Sequence, residues 1–182
     1  ERYASHNTVE WFALTKFHSN TLGSINNISY KIHKGRLKFN LFGAYSSHAD
    51  YQAPNFDRVF NTRFDEKNIK ISMGFNTKNW ISNIRHSYLQ NNYGIVEDAN
   101  FTNSNQRKFI LPFQTIDNHN LSFENIVFTG NSKLNLTLGY TNNYRKEFED
   151  DSNNQALGLK LNTFTYKLKW YSQIYKDRFE IG

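Results

Sequence analysis

Short and long polar connections alternate along this chain, and that regularity limits its folds more than any single motif does. The short ones fall at His33-Lys34-Gly35-Arg36, Thr77-Lys78-Asn79 and Gly130-Asn131-Ser132, each carrying the Gly or Asn that tight hairpins favour. The long ones cover residues 46–61, 94–117 and 149–155. Between them, apolar residues recur with period two, the signature of strands with one apolar face. Leu134, Leu136, Leu138 and Tyr140 alternate with Asn135, Thr137, Gly139 and Thr141. Ile69, Ile71, Met73 and Phe75 alternate with Lys70, Ser72, Gly74 and Asn76, and Leu37, Phe39 and Leu41 with Lys38 and Asn40. Ile28, Tyr30 and Ile32 alternate with Asn27, Ser29, Lys31 and His33. In the last long segment the apolar phase slips, from Leu157, Leu159 and Leu161 to Phe164, Tyr166, Leu168 and Trp170, which predicts a bulge near Asn162. The segments at 80–93 and 120–129 have mixed faces.

A soluble sandwich has no reason to place all its tight turns at one end. A transmembrane barrel does, because its two rims face different compartments. The segments run about 12–16 residues, longer than the ~5–6 of globular strands and enough to cross a bilayer at a tilt, where ~9–11 suffice. Aromatic residues crowd the strand ends, with Tyr30, Phe75, Trp80, Phe128 and Trp170 toward the short turns. Tyr45, Tyr88, Tyr140 and Tyr144 lie toward the long loops, as two interfacial girdles would. The expected fold is therefore all-β, a run of about seven or eight antiparallel up-and-down strands from a larger transmembrane β-barrel. The glycines Gly74 and Gly139 are expected on the inner side, where small residues let a wall curve.

Composition agrees. Mean hydropathy is −0.73, yet charged residues are only 21% while aromatics reach 16%, and 26 of the 182 residues are Asn. Disordered chains are poor in aromatics, so this polar, aromatic chain is an ordered one. There is no cysteine, hence no disulfide framework, thiolate nucleophile or Cys zinc site. The net charge of +6 comes from basic residues scattered singly or in pairs such as Arg107-Lys108, which does not mark a nucleic-acid interface. Neither Glu1-Arg2-Tyr3 nor Phe179-Glu180-Ile181-Gly182 reads as a natural terminus, so the chain is expected to be a piece of a longer protein.

Several stretches carry a family resemblance. They include Gly43-Ala44-Tyr45 with His48-Ala49-Asp50-Tyr51, Asn61-Thr62-Arg63-Phe64 and Asn92-Tyr93-Gly94-Ile95. Leu111-Pro112-Phe113-Gln114-Thr115-Ile116 with Asn118-His119, the run Gly139-Tyr140-Thr141-Asn142-Asn143-Tyr144-Arg145-Lys146-Glu147-Phe148, and Leu161-Asn162-Thr163 belong to the same series. From about Asn20 onward the chain resembles the barrel domain of TonB-dependent outer-membrane receptors of the Bacteroidetes type. The resemblance implies a barrel of about 22 strands closed around a plug. It implies residence in the bacterial outer membrane and import of a scarce nutrient, an iron chelate first, with cobalamin, haem or glycan behind it. The implied partners are outer-membrane lipid, the protein's own plug domain, the TonB energy-transducing complex and a small nutrient ligand. Residues 1–182 read wholly as barrel, without plug or TonB box.

No catalytic motif is present, neither Gly-x-Ser-x-Gly, His-Glu-x-x-His, a phosphate loop nor a dinucleotide fingerprint, so no enzyme activity, catalytic residue, metal or cofactor is expected. His48 with Asp50 and His119 near Asp117 flank long loops and invite a metal or haem reading; hydrogen bonding at strand ends accounts for them more simply. Arg85, Glu124 and Arg145 are expected on the inner face, meeting a ligand, a plug or one another. Two other functions fit the pattern: a non-transporting adhesive or structural outer-membrane barrel, and a soluble all-β carbohydrate-binding module.

Overall fold

The computed structural model describes residues 7–97, 100–151, 154–174 and 177–181. Among the described residues every regular element is a strand. In chain order they are β1 (Thr8–His18), β2 (Gly23–Lys34), β3 (Leu37–His48), β4 (Arg58–Val59), β5 (Phe64–Asn76) and β6 (Trp80–Gly94). They continue with β7 (Phe101–Thr102), β8 (Phe113–Thr129), β9 (Ser132–Phe148), β10 (Leu157–Ile174) and β11 (Asp177–Ile181). Nine of them form one antiparallel sheet in the order β1-β2-β3-β5-β6-β8-β9-β10-β11, so every strand pairs with its sequence neighbour in the sheet. The short strands β4 and β7 form a separate two-stranded ribbon from the two longest loops. The sheet is open, with β1 and β11 as its edges.

The connections sort by rim as the alternation requires. Gly35-Arg36, Thr77-Lys78-Asn79 and Gly130-Asn131 join strands on one rim, and residues 49–63, 95–112 and 149–156 join them on the other. Gly35 and Gly130 have positive φ of 58° and 56°, the left-handed region that a hairpin turn needs and that L side chains avoid. The three turns are staggered in one direction along the ladder. Leu37, which starts β3, lies opposite Phe75, one residue short of the end of β5. The partner of Asn76, Ile81, lies opposite Ile126, three residues short of the end of β8.

Four details differ from the sequence expectations. β1 was outside them, and its four-residue connection to β2, residues 19–22, is a tight turn on the long-loop rim, so the alternation starts only after β2. β8 begins at Phe113 rather than near Asn120, because its polar first third is held by ladders to β6 and β9 on both sides. No bulge occurs near Asn162: β10 pairs with β9 without interruption from Leu157↔Glu147 to Ser172↔Ser132. The apolar slip is instead a change of face, with Leu157, Leu159 and Leu161 on one side of the sheet and Phe164, Tyr166, Leu168 and Trp170 on the other. Phe128 belongs to the opposite face from Trp80 and Trp170, since its neighbour Val127 is the residue opposite both Trp80 and Leu134.

Candidate functional site

Register converts the alternation of each strand into two faces of the sheet. One hydrogen-bonded row reads Val9, Ile32, Phe39, Met73, Ile84, Phe123, Leu138, Tyr166, apolar or aromatic on eight successive strands. The next row toward the long loops reads Trp11, Tyr30, Leu41, Ile71, His86, Leu121, Tyr140, Phe164. Two rows farther on the same face turns polar, with Thr15, Asn26, Tyr45, Lys67, Gln90, Asp117, Tyr144 and Lys160. At the short-turn rim the band closes with Trp80, Val127, Leu134 and Trp170. Aromatic residues therefore bound the band on this face, while Tyr30 shares a row with Tyr140 rather than with the turn-side tryptophans.

The opposite face is polar. A representative row is Glu10, Lys31, Asn40, Ser72, Arg85, Ser122, Gly139, Thr165. Gly74 and Gly139 both lie here, and a Cβ on Gly139 would stand 2.5 Å from Thr165 Oγ1. Exposure is inverted relative to a water-soluble sheet: Trp11 and Tyr166 of the apolar face are 78% and 77% exposed, whereas Asn40 and Ser72 of the polar face are 5% and 3% exposed. The charges read from sequence sit on this face and pair locally. Arg85 Nη1 donates to Glu124 Oε2 at 2.7 Å, and Arg145 pairs with Glu147.

The best-buried polar groups are on the long-loop rim. Asp50 and Arg63 are 0% and 2% exposed and form a two-pronged ion pair: Arg63 Nη2 to Asp50 Oδ2 at 2.6 Å and Nε to Oδ1 at 3.1 Å. The Arg63 backbone N–H also donates to Asp50 Oδ1 at 2.8 Å, and Nη1 to the Lys108 carbonyl at 2.7 Å. Arg58 Nη1 donates to the carbonyls of Asn20 and Asp50, and its Nε to Asn105 Oδ1. Asn61, in the left-handed region at φ 61°, donates to the carbonyls of Ile95 and Pro112 at 2.9 and 2.7 Å. Arg107 reaches the Leu22 carbonyl. Three loops are thus tied into one unit by side chains that satisfy loop carbonyls, the requirement for any buried irregular backbone. Sequence reasoning missed this knot. Its signal was only the Asp50 and Arg63 of the two quoted stretches, and their pairing is a long-range contact.

The candidate metal pairs do not converge. Asp50 is committed to Arg63, and His48 instead meets Thr21 Oγ1 through Nδ1 at 2.7 Å and stacks on Phe64 at 4.3 Å. Burial lowers the His48 pKa below the usual histidine value, with His18 and Arg107 adding to the effect, so its imidazole is held neutral. Asp117 accepts from Gln90, Tyr88 and Lys146, while His119 stacks on Tyr88 and faces His86. Among the described residues no group of three or more His, Asp or Glu side chains is placed to hold a metal ion.

Beneath the knot, on the polar face, lies a cavity of about 560 Å³. Its walls come from β1, β2, β3 and β5 and include Asn27, Phe42, His48, Phe64, Glu66 and Asn68. The size falls within the ~300–1,000 Å³ of ligand pockets. No family model, curated protein or solved structure matches this chain.

Proposed function

We propose that this chain is a wall segment of an outer-membrane β-barrel of the TonB-dependent receptor type, serving import of a scarce nutrient. The observation that supports it is the two-faced sheet: a continuous exposed apolar band on one side and an Asn-, Ser-, Thr- and Lys-rich surface on the other. In water such a band is an aggregation-prone surface; in a bilayer it is the lipid contact, and the polar side is the wet lumen. The seven residues Leu134–Tyr140 that span the band on β9 cover about 20 Å of strand at ~3.4 Å per residue. Beyond them the strands run on, with polar and apolar residues mixed on both faces, toward the knotted loops, which on this reading face the exterior. Resemblance alone suggests an iron chelate as the first cargo to test.

The function is tested by uptake. Cells lacking the full-length protein should lose high-affinity accumulation of its nutrient, and regain it only when both the protein and TonB are supplied. Uptake independent of TonB, or surface attachment lost without any uptake defect, would favour a non-transporting adhesive barrel.

A further inference from the structure

We infer that the β2–β3 turn and the apolar groove beside it form a binding site for an anionic glycerophospholipid. The phosphate sits against Lys34, Arg36 and Lys78, and an acyl chain lies along the groove. The inference deepens the barrel reading and rests on it for the apolar face lying in lipid and the short-turn rim facing the periplasmic leaflet.

Charge is distributed unevenly along the strands. Residues 31–38, 75–82 and 127–134 carry the three tight turns and the strand ends beside them. They hold Lys31, Lys34, Arg36, Lys38, Lys78 and Lys133, and no Asp or Glu. Register gathers three of these cations at one place. Lys34 lies opposite Leu37 at the end of the β2–β3 ladder, the Asn76 backbone N–H donates to the Arg36 carbonyl at 2.9 Å, and Lys78 follows two residues after Asn76. All three are exposed, and none enters an ion pair among the described residues. The first acids inward along the strands, Glu10 and Glu124, lie on the polar face, and Glu124 is taken by Arg85. The turn is braced without any ligand: the Gly35 N–H donates to Asn7 Oδ1 at 2.8 Å, and His33 Nε2 lies 3.1 Å from the Gly35 carbonyl oxygen. On the apolar face a groove of about 370 Å³ has walls that include Ile32, Leu37, Phe39, Met73, Phe75 and Phe123. Lys34 heads the row Leu37, Phe75, Ser82, all three of which line that groove. Leu37 and Met73 are 63% and 51% exposed there. Cations bordering an apolar groove select a ligand that is anionic at one end and apolar along its length. An acidic protein segment would satisfy the cations and leave the groove uncovered, whereas a phospholipid satisfies both. Its phosphate accepts charge-assisted hydrogen bonds from Lys and Arg. The Lys34 stem lies along apolar surface while its ammonium reaches headgroup level.

The test is photo-crosslinking of the full-length protein in phosphatidylcholine vesicles that contain a trace of phosphatidylglycerol with a diazirine in its acyl chain. Labelled positions are mapped by peptide mass spectrometry. We expect saturable labelling of residues 37–39 and 73–75, displaced about tenfold more effectively by unlabelled phosphatidylglycerol than by added phosphatidylcholine, with the preference weakened by salt. Glycerol 3-phosphate, which has the phosphate and no chain, should not displace the probe. Labelling of residues 138–140, on the same face and away from these three cations, should show no headgroup preference. A basic residue near an anionic lipid surface contributes about fivefold in affinity. Lys34→Gln should therefore weaken phosphatidylglycerol about fivefold and Lys34→Arg should retain it, while exchanging Lys34, Arg36 and Lys78 together for Gln should cost about a hundredfold. Lys133→Gln removes the same charge from the polar face and should stay within about twofold. Equal displacement by the two lipids would overturn the inference, as would a preference that survives the triple exchange. Displacement by glycerol 3-phosphate as effective as by phosphatidylglycerol would remove the groove from the site, and stronger displacement by diphosphoryl lipid A would remove the glycerophospholipid; either overturns it. If the preference is absent while an arginine at Leu138 still destabilises the protein in bilayers, the lipid site falls and the barrel stands. If that arginine is silent, the barrel reading itself falls.

Discussion

An arginine scan along β9 separates a membrane wall from a soluble sheet, and register fixes what each position should cost. Leu138 lies in the row that is apolar or aromatic on eight successive strands, directly between Phe123 and Tyr166. On the barrel reading that row is the bilayer midplane, where an outward Arg costs about 2–4 kcal/mol. Leu136, one row nearer the turns, lies between Leu168 and Asn125, whose Oδ1 is already taken by Trp80 Nε1. Leu134 lies between Val127 and Trp170 at the aromatic edge, where an Arg can reach the interface and the cost falls to roughly 0–1 kcal/mol. Thr137 faces the other way, between Glu124 and Lys167, in a surface already lined with charge. The expected order of destabilisation is therefore Leu138→Arg, then Leu136→Arg, then Leu134→Arg, with Thr137→Arg nearly silent. The assay is reversible urea unfolding of the full-length protein in vesicles, extrapolated linearly. A loss of about 2–4 kcal/mol is a change of roughly 30-fold to several hundred-fold in the folding equilibrium. Equal losses at Leu138 and Thr137 would mean that both faces are dry, as in a sandwich core. A flat profile over the three leucines would mean that no midplane exists, and either result refutes the reasoning.

Four further outcomes follow, three from the loop rim and one from a tight turn on the other rim. Asp50→Ala leaves the buried Arg63 guanidinium without its carboxylate, a change that costs about 3–5 kcal/mol at a fully buried pair; protease cleavage within residues 95–112 should accelerate while the strand ladders stay protected from hydrogen exchange. Gly94→Ala would set a Cβ 2.2 Å from the Asn61 carbonyl oxygen and should loosen the same loops, whereas a Cβ at Gly130 meets open space. Gly130→Ala should then cost only the left-handed backbone, ~1–2 kcal/mol, and Gly130→Asn should recover much of it, both read by thermal unfolding in detergent. The lowered pKa of His48, which lies at the loop end of β3 beyond the apolar band, stabilises the rim fully above the ordinary value of 6.5. That contribution is lost as pH falls from 6.5 through the depressed folded value. Limited proteolysis of the loops should speed up on acidification through this window, and His48→Gln should flatten the profile.

Legibility in the sequence tracked the range of the interactions involved. The β9 and β5 strands were readable because alternation is a local property, and the tight turns because Gly35 and Gly130 occupy backbone that few other residues tolerate. Face assignment failed where a strand's apolar residues are not all on one side. Leu157, Leu159 and Leu161 are apolar residues on the polar face, and only the unbroken ladder to β9 reveals this. β1 was missed because Trp11 is followed by Phe12 and Leu14 on the other face, which breaks the period-two signal. The first third of β8 was assigned to a loop because Gln114, Thr115, Asp117 and Asn118 carry no apolar alternation; cross-strand pairing on both sides overrides weak propensity there. The cavity was not legible at all, since its walls come from four strands and its chemistry depends on which side chains register brings together.

The knot and the cavity are mechanically one object. His48 is the last residue of β3 and forms part of the cavity wall; two residues later Asp50 receives Arg63, and the next residue, Phe64, is the ring on which His48 stacks. The chain leaves the wall at His48, makes a loop of fifteen residues, 49–63, and returns opposite its departure point, where His48 pairs with Phe64 in the ladder. Closing a loop of that length by flexible backbone alone would leave the two wall residues free to part. The buried Asp50–Arg63 pair fixes the two ends against each other, and Thr21 fixes His48 from the side of β2. Disrupting the knot should therefore be felt as weaker ligand binding even though none of Asp50, Arg58 or Arg63 lines the cavity. Arg63→Met, which removes the charge but keeps much of the side-chain volume, tests this directly. It should lower affinity for a ligand seated in the cavity, with the loss residing in the dissociation rate, because an ordered wall slows escape more than it speeds encounter. Unchanged dissociation in a variant whose loops have become protease-sensitive would show that the cavity holds its shape without the knot.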